Sequence, residues 1–471
     1  MTASKLGRRE FLAAPALLLQ GRAGKIRAGA ATTNITPWLG LSLAGYMNDR
    51  KAAFIHDELH VKAIALDNGR TRLAIAIVDS CAVPRSIFDA AKEEIHQHTG
   101  IPIAQILTAA THTHSAPAAA HLFQSEPDSA YTRFLTTRIA DAVRLAVTRL
   151  EPARIGYGVG REDRLVFNRR YVMKPGSIPL NPFGIEDQVL MNPPAGNDNI
   201  IQSAGPIDPD VTLLVAESIE GKPIFTLCSY ALHYVGGHPA AHVSADYFGS
   251  WAAAMQRMAG ATFVPILANG CSGNINGVNF QKPSRTWLPY EQMSAYADIL
   301  AAEAFRTWKS LQWEDTVELN GSVEEIEFTT RQASSAELDK AKKLLASEGA
   351  IPLAGYKRRE AIYARESQLL VSEIGSRVKT LVQGLKIGNL GIATMPGEAF
   401  VELGLAVKQA SPFGTTMMIE LANDYRGYIP TEQAFAVGGY ETWRAKSSYL
   451  DEKAGGRLVK SALAQLEKIA R

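Results

Sequence analysis

Two apolar runs of strand length, Val61–Leu66 and Leu73–Val78, flank the dipeptide Asn68-Gly69. Asn-Gly adopts positive φ at little cost and reverses a chain within two residues, so these runs are predicted to pair antiparallel. A second such pair, Thr212–Ala216 and Pro223–Cys228, meets around Glu220-Gly221. Segments with helical spacing lie between and after them. The pattern predicts helices over Arg85–His98, over Tyr131–Leu150 (where Leu135, Ile139, Ala142, Val143 and Ala146 recur), over Tyr247–Met258 and over Arg457–Ala470. Hairpins interleaved with helices imply an α/β fold, with mixed β-sheets flanked by helices.

Other segments read less regularly. From Ile155 to Asp210, Gly, Pro and Asn are frequent, which suggests a long irregular excursion. Ser334 and Glu337 form a capping box for a helix running toward Ser347, and Ala361–Leu381 also reads as helix. A strand over Leu385–Met395 turns at Pro396-Gly397 into a helix expected from Glu398 to Gln409. No internal repeat or clean linker divides the chain, so one domain over residues 28–471 is the simplest organisation.

The first 27 residues carry Lys5, Arg8, Arg9, Arg22, Lys25 and Arg27 against Glu10, a charge of +5. The net charge of the whole chain is +2, which leaves −3 for the remainder and no basic footprint for nucleic acid. Arg8-Arg9-Glu10-Phe11-Leu12 and the apolar stretch to Leu19 fit a twin-arginine-type export signal over residues 1–27, and that stretch is too short to span a bilayer. A periplasmic or secreted location is expected. Cys81, Cys228 and Cys271 are an odd number without a close pair, and each sits in or beside apolar sequence, where a small buried hydrophobe is the expected role.

Several apolar strands stop at polar clusters. Thr111-His112-Thr113-His114-Ser115 puts two imidazoles two positions apart at a strand tip, where side chains of equal parity share a face; metal, proton-transfer and structural roles all remain open. His233 falls where the strand before it should end, whereas His238 and His242 lie in a Gly/Ala-rich loop, where a solvated position is expected ahead of a role in the site. Asn269-Gly270-Cys271-Ser272-Gly273-Asn274-Ile275-Asn276-Gly277 offers successive backbone N–H groups, either to an oxyanion or to a tight turn. It lacks the flanking glycines of a nucleophile elbow and the lysine of a phosphate loop. Glu398 after Pro396-Gly397 either exposes a carboxylate near a helix N-terminus or simply caps that helix, and the polar turn Asn423 to Tyr428, whose tyrosines read as packing residues, completes the set of polar strand ends.

In order and spacing these pieces resemble the catalytic domain of the neutral/alkaline ceramidase family. The resemblance rests on Thr33-Asn34-Ile35-Thr36-Pro37, Ala44-Gly45-Tyr46, Thr111 to Ser115, Asn168-Arg169, His233, Gly273-Asn274-Ile275-Asn276, Pro396-Gly397-Glu398 and Asn423 to Tyr428. It implies a Zn2+ ion held by His112, His233, Glu398 and Tyr428. It further implies that His114 orients substrate or shuttles a proton, that Arg169 contacts substrate or stabilises developing charge, and that Ser115 and Tyr425 support the site. Two neutral imidazoles and a carboxylate suit zinc, which lowers the pKa of bound water toward ~7.

Two departures from the family bear on its activity. Asn276 stands where the family places a catalytically important serine, and Asn can donate to an oxyanion but cannot act as a nucleophile; Ser272 lies nearby. Only some 40 residues follow Tyr428, so no C-terminal immunoglobulin-like domain is expected. The expected activity is therefore hydrolysis of an amide in a small-molecule or lipid-like N-acyl substrate by metal-bound water. The alternatives are an esterase or lactonase on the same site, or a non-catalytic periplasmic binding protein. A serine hydrolase using Ser272 ranks below both. Nothing in the sequence calls for an obligate protein partner.

Overall fold

The computed structural model describes residues 24–348 and 357–471; the twin-arginine motif lies outside them. Eight strands form the larger sheet. In chain order they are β1 (Arg27–Asn34), β2 (His60–Asp67), β3 (Arg72–Val78), β4 (Ile106–Ala110), β5 (Glu151–Arg161), β6 (Asp210–Ser218), β7 (Pro223–Tyr230) and β8 (Val264–Asn269). They pair in the order β8-β7-β6-β5-β1-β2-β3-β4. Both hairpins expected from sequence are present: β2 pairs with β3 antiparallel, Leu66 opposite Leu73, and β6 pairs with β7. The outermost pairs, β3·β4 and β7·β8, are parallel.

A smaller sheet is built from β9 (Leu319–Thr329), β10 (Arg377–Ile387), β11 (Leu390–Thr394) and β12 (Thr415–Ile419), with β11·β12 parallel. The two sheets face each other across an apolar layer that includes Ile64, Leu107, Leu214, Phe225, Ile266, Leu385, Ile392, Met417 and Ile419. On the outer face of the large sheet lie α1 (Arg85–Thr99) and α2 (Ser129–Thr148) over one half, and α3 (Asp246–Ala259) and α4 (Glu291–Trp308) over the other. After α5 (Ser335–Ser347) and α6 (Arg359–Leu369), helices α7 (Val401–Ala410) and α8 (Ala454–Ala470) cover the outer face of the small sheet. Four layers result: helices, sheet, sheet, helices.

The structure revises four sequence expectations. Residues 155–161, read as the start of an irregular excursion, belong to β5. Gly156, Gly158 and Gly160 line one face of that strand, and a Cβ on any of them would collide with Leu311, Thr307 or Glu303. The glycines that suggested a loop serve instead to let α4 and the chain after it lie close to the strand. The expected helix over Ala361–Leu381 ends at Leu369. A single π-turn over Leu370–Ile374 follows, Gly375 turns the chain at φ +75°, and Arg377 onward is β10. The expected strand over Leu385–Met395 is a hairpin, turning at Gly388-Asn389. Glu398 does not begin a helix: Glu398–Ala399 pairs parallel with Tyr428–Ile429, and α7 starts at Val401. The capping box at Ser334 and Glu337 forms as expected.

One short segment joins the two edges of the large sheet. Beyond β12, Glu420 N donates to Asn269 O at the end of β8 (3.0 Å), while Ala110 N at the end of β4 donates to Leu421 O (3.2 Å) and Asn423 N donates to Thr108 O (2.7 Å). The same segment donates from Leu421 and Ala422 to Gly397 O and Met395 O, the residues leading into Glu398. Leu421 and Asn423 both have positive φ, +54° and +64°. Such backbone persists only where its surroundings over-determine it. They do: Asn423 Oδ1 accepts from the fully buried Lys92 Nζ at 2.5 Å and Asn423 Nδ2 donates to Gln383 Oε1 at 2.9 Å.

Burial pushes the Lys92 amine down to about 7. The folded protein then binds fewer protons than the unfolded chain between about pH 7 and the ordinary lysine value, so stability rises with pH in that window. Wild type should gain about 2 kcal/mol from Lys92 between pH 7 and 9, and Lys92→Met should lose that increment. Denaturant unfolding of both proteins at the two pH values measures it, and equal pH slopes would refute the assignment.

Candidate metal centre

The strand ends expected to carry chemistry converge. His112 and His114 follow β4, His233 follows β7, and Glu398 sits between β11 and α7. His112 and His114 are not presented by strand alternation, because β4 ends at Ala110 and His112 turns left-handed at φ +74°. That turn, rather than a period of two, brings their rings edge to face. The three Nε2 atoms form a triangle: His112 to His233 3.2 Å, His112 to His114 3.2 Å, and His114 to His233 3.0 Å. Glu398 Oε2 lies 3.3 Å from His112 Nε2 and has no hydrogen-bond partner. All four residues are buried.

Polar contacts around the cluster orient each member. His112 Nδ1–H donates to Cys81 O at 2.7 Å, which turns Nε2 toward the triangle. Tyr425 O–H donates to Glu398 Oε1 at 2.8 Å, so Oε2 is the oxygen turned toward the imidazoles. Arg169 Nη1 lies 3.0 Å from His233 Nδ1, and its guanidinium sits 5.3 Å from the Tyr428 ring centre. Gly45 makes room for His114; at φ +102° it carries no Cβ that would meet Nδ1 at 2.5 Å. Gly273 allows the backbone of its loop to touch the Glu398 carbonyl, where a Cβ would lie 2.3 Å from the oxygen.

Asp246, fully enclosed and at φ +50°, holds the His-Thr-His segment. Its Oδ2 accepts from Thr113 Oγ1 (2.8 Å) and His114 N (2.9 Å), and its Oδ1 accepts from Ser115 Oγ (3.0 Å). His238 Nε2 lies 3.1 Å from the same Oδ1, so His238 is a buried partner of Asp246 and not a solvated loop residue. His242 stays at the surface, against Phe54 and Tyr290. Arg50 also ties this region together, donating to Ala44 O, His114 O and Ala240 O.

The remaining expected residues separate. Tyr428 lines the cleft over the imidazoles with Tyr46, Cys81, Leu122, Phe123, Tyr425, Tyr440 and Ser447, in a space of about 30 Å³. Ser272 faces inward, donating to Glu420 Oε1 at 2.6 Å and accepting from Asn269 Nδ2. Asn276 pairs on a short ladder with Phe167 and gives its amide to Asn192 Oδ1 at 2.6 Å; it is not among the residues lining the cleft. In the Gly-punctuated loop Gly270 N donates to Tyr230 O and Gly273 N to Ala399 O, and Ile275 N closes a turn on Ser272 O. Sequence reasoning did not single out Cys81 as a site residue, or Asp246, Arg50, Tyr440 and Glu441. Each acts through contacts between distant segments, and no local pattern marks them.

The electrostatics follow from burial plus a charge pair. Burial disfavours the His112 cation, but the Glu398 carboxylate and Cys81 outweigh it and hold its pKa well above the usual histidine value. Burial also raises the Glu398 carboxyl, yet His112 and Arg169 bring it below the usual range. His114 and His233 are driven well below theirs by burial, with His112 and the arginines Arg50 and Arg169 adding to it. The site thus offers two neutral imidazoles and an ionised carboxylate. Tetrahedral zinc with Zn–N near 2.0–2.1 Å separates its nitrogens by about 3.3 Å, close to the observed triangle. Two sets of ligand atoms meet the spacing of a metal site, His112/His233/Glu398 and Cys81/His112/His114, each within 4.8 Å. These buried groups can hold a metal ion.

No protein-family model matches the sequence, and no curated protein matches it. Solved structures do. The neutral ceramidase from Pseudomonas aeruginosa superposes with a TM-score of 0.71 at 17% identity, over 94% of this chain and 74% of that one. A ceramidase complexed with C2 gives 0.70 at 17% identity, over 94% and 75%. The chain has the neutral ceramidase fold.

A metal ion at His112 Nε2 must displace the proton that Glu398 retains there, so affinity should climb with pH, at least about tenfold from pH 6 to 8. Calorimetric titration with a divalent metal in buffers of different ionisation enthalpy should show proton release. Affinity independent of pH would contradict the His112–Glu398 assignment.

Proposed function

On this fold, we propose that the chain is a zinc-dependent hydrolase that cleaves an amide bond in an N-acyl compound. The observation that carries the reading is the triangle of buried Nε2 atoms with the unpartnered Glu398 Oε2 beside it. Enclosed polar atoms are ordinarily satisfied, and four left facing one another are best explained as ligands for a cation. We assign His112, His233, Glu398 and Tyr428 as the residues that hold Zn2+. A zinc ion supplies Lewis acidity and a water of lowered pKa.

The chain's own residues provide the remaining chemistry. Cys81 O fixes the His112 tautomer, and Tyr425 O–H fixes the carboxylate of Glu398. His114, neutral and adjacent to the ligands, accepts or returns a proton at Nε2 during attack and departure of the amine. Arg169, a permanent cation held against His233, stabilises the negative charge that develops on the acyl oxygen. Tyr46, Leu122, Phe123 and Tyr440 wall the cleft and keep bulk water from the reacting groups. Asn276 and Ser115 are assigned supporting roles on the family resemblance. Ser272 cannot be the nucleophile, since its hydroxyl is spent on Glu420 and it is fully buried.

The two similar structures are those of a neutral ceramidase and a ceramidase. That likeness supports a lipid-like N-acyl substrate for this chain too, with an ester or lactone as the competing substrate of the same site. Among the described residues no helix is long and apolar enough to cross a membrane. We assign the chain to the periplasm or exterior on the strength of its Arg8-Arg9 leader, and read residues 28–471 as one hydrolase domain.

Purified protein should contain about one zinc per chain, lose hydrolysis on chelation, and regain it with added Zn2+. His112→Ala should lose both metal and turnover. Tyr425→Phe should weaken metal binding by about 10–100-fold. Panels of acyl amides, acyl esters and lactones, graded in chain length, identify the bond cleaved. Absence of zinc, or full activity in His112→Ala, would sink the proposal; labelling by a fluorophosphonate would favour a serine hydrolase.

A further inference from the structure

Arg169 and Arg170 are consecutive, and both guanidinium groups are buried against one carboxylate, Glu441, which is itself 0% exposed. Glu441 Oε1 accepts from Arg169 Nε at 2.8 Å, while Oε2 lies 3.3 Å from Arg170 Nε. The carboxylate is carried on the single 3-10 turn Tyr440–Thr442, whose backbone is pinned on both sides of it. Ser448 Oγ donates to Glu441 O (2.7 Å) and Arg331 Nη1 donates to Thr442 O (2.8 Å). Tyr440 packs edge-on against Tyr428.

A guanidinium is a rigid plane with five N–H donors. Two of its nitrogens are committed in Arg169, Nε to Glu441 and Nη1 to His233 Nδ1. Those two contacts fix the plane and so the direction of Nη2, which is buried and makes no well-formed hydrogen bond to the protein, with Tyr428 beside the guanidinium. An enclosed cationic donor without an acceptor calls for an explanation, and a ligand oxygen supplies one.

Resting on the hydrolase reading above, we propose that Glu441 is a positioning residue which aims Arg169 Nη2 at an oxygen of the bound acyl group. Without the carboxylate the side chain keeps His233 and the Tyr428 ring as contacts but loses the one acceptor that holds Nε. The donor then no longer meets the oxygen on which charge develops. Because Glu441 touches neither the imidazole triangle nor Glu398 through any hydrogen bond or ion pair among the described residues, its removal leaves the metal ligands in place.

The test compares wild type, Glu441→Leu, which removes the acceptor, and Glu441→Gln, which keeps one. Expected are a kcat lowered about 100-fold in the Leu variant, partial recovery in the Gln variant, KM changed far less than kcat, and zinc content equal to wild type. A second readout needs no turnover: phenylglyoxal labelling followed by peptide mass spectrometry. Arg169 should be protected in wild type and labelled in Glu441→Leu, while Arg365, equally buried and bonded to Phe123 O, stays protected in both. General loosening of the fold would expose both arginines and overturn the positioning role. So would a kcat within about twofold of wild type, or Arg169 still protected in the variant. If Glu441→Leu does not fold, Glu441→Gln is judged by the same labelling and by an intermediate loss of kcat. A wild type that binds no zinc and hydrolyses nothing overturns the hydrolase reading and this one together; an active wild type with an unaffected variant overturns only this one.

Discussion

The architecture depends on the four residues Glu420 to Asn423. The strands that deliver His112 and His233 stand near opposite edges of an eight-stranded sheet, with six strands separating β4 from β8 in the pairing order. The sheet brings those edges together only because this segment is hydrogen-bonded to both, and it also holds the residues leading to Glu398. Two left-handed residues, a buried lysine and two buried amides are committed to keeping it there. The geometry of the metal site is thus a property of sheet closure and not of any one loop.

Within that frame, charge and tautomer are set by groups outside the triangle. A backbone carbonyl chooses which nitrogen of His112 faces the centre, a phenol chooses which oxygen of Glu398 faces it, and Asp246 holds the strand-end segment through three hydrogen bonds. Burial alone would neutralise Glu398; the cations His112 and Arg169 reverse that sign. The arrangement is preorganised at two of its members, His112 and Glu398, whose inward atoms are set by partners facing away from the centre.

Much of this was legible in the sequence, for identifiable reasons. The Asn68-Gly69 hairpin, the amphipathic helices and the Ser334 capping box depend on neighbours in the chain, and they appear where expected. His112 and His233 are marked by their place after apolar strands as well as by the family resemblance, whereas Glu398 and Tyr428 rest mainly on the resemblance. What failed was governed by contacts distant in sequence. Gly156, Gly158 and Gly160 look like a loop until α4 is seen to need their missing side chains. The run after Leu369 carries helical composition, yet Gly375 and pairing with β9 make it a strand. Glu441, 272 residues from Arg169, has no signature of its own.

The segment that closes the large sheet has a second effect. A sheet edge presents unpaired amides and carbonyls to any strand that diffuses past. Here the carboxyl ends of both edge strands are already engaged, β4 by Leu421 to Asn423 and β8 by Glu420. The chemistry of the centre and the colloidal safety of the molecule therefore share the same few peptide units. A lesion in those units would leave the large sheet with two open templates, and self-association would accompany the loss of the site.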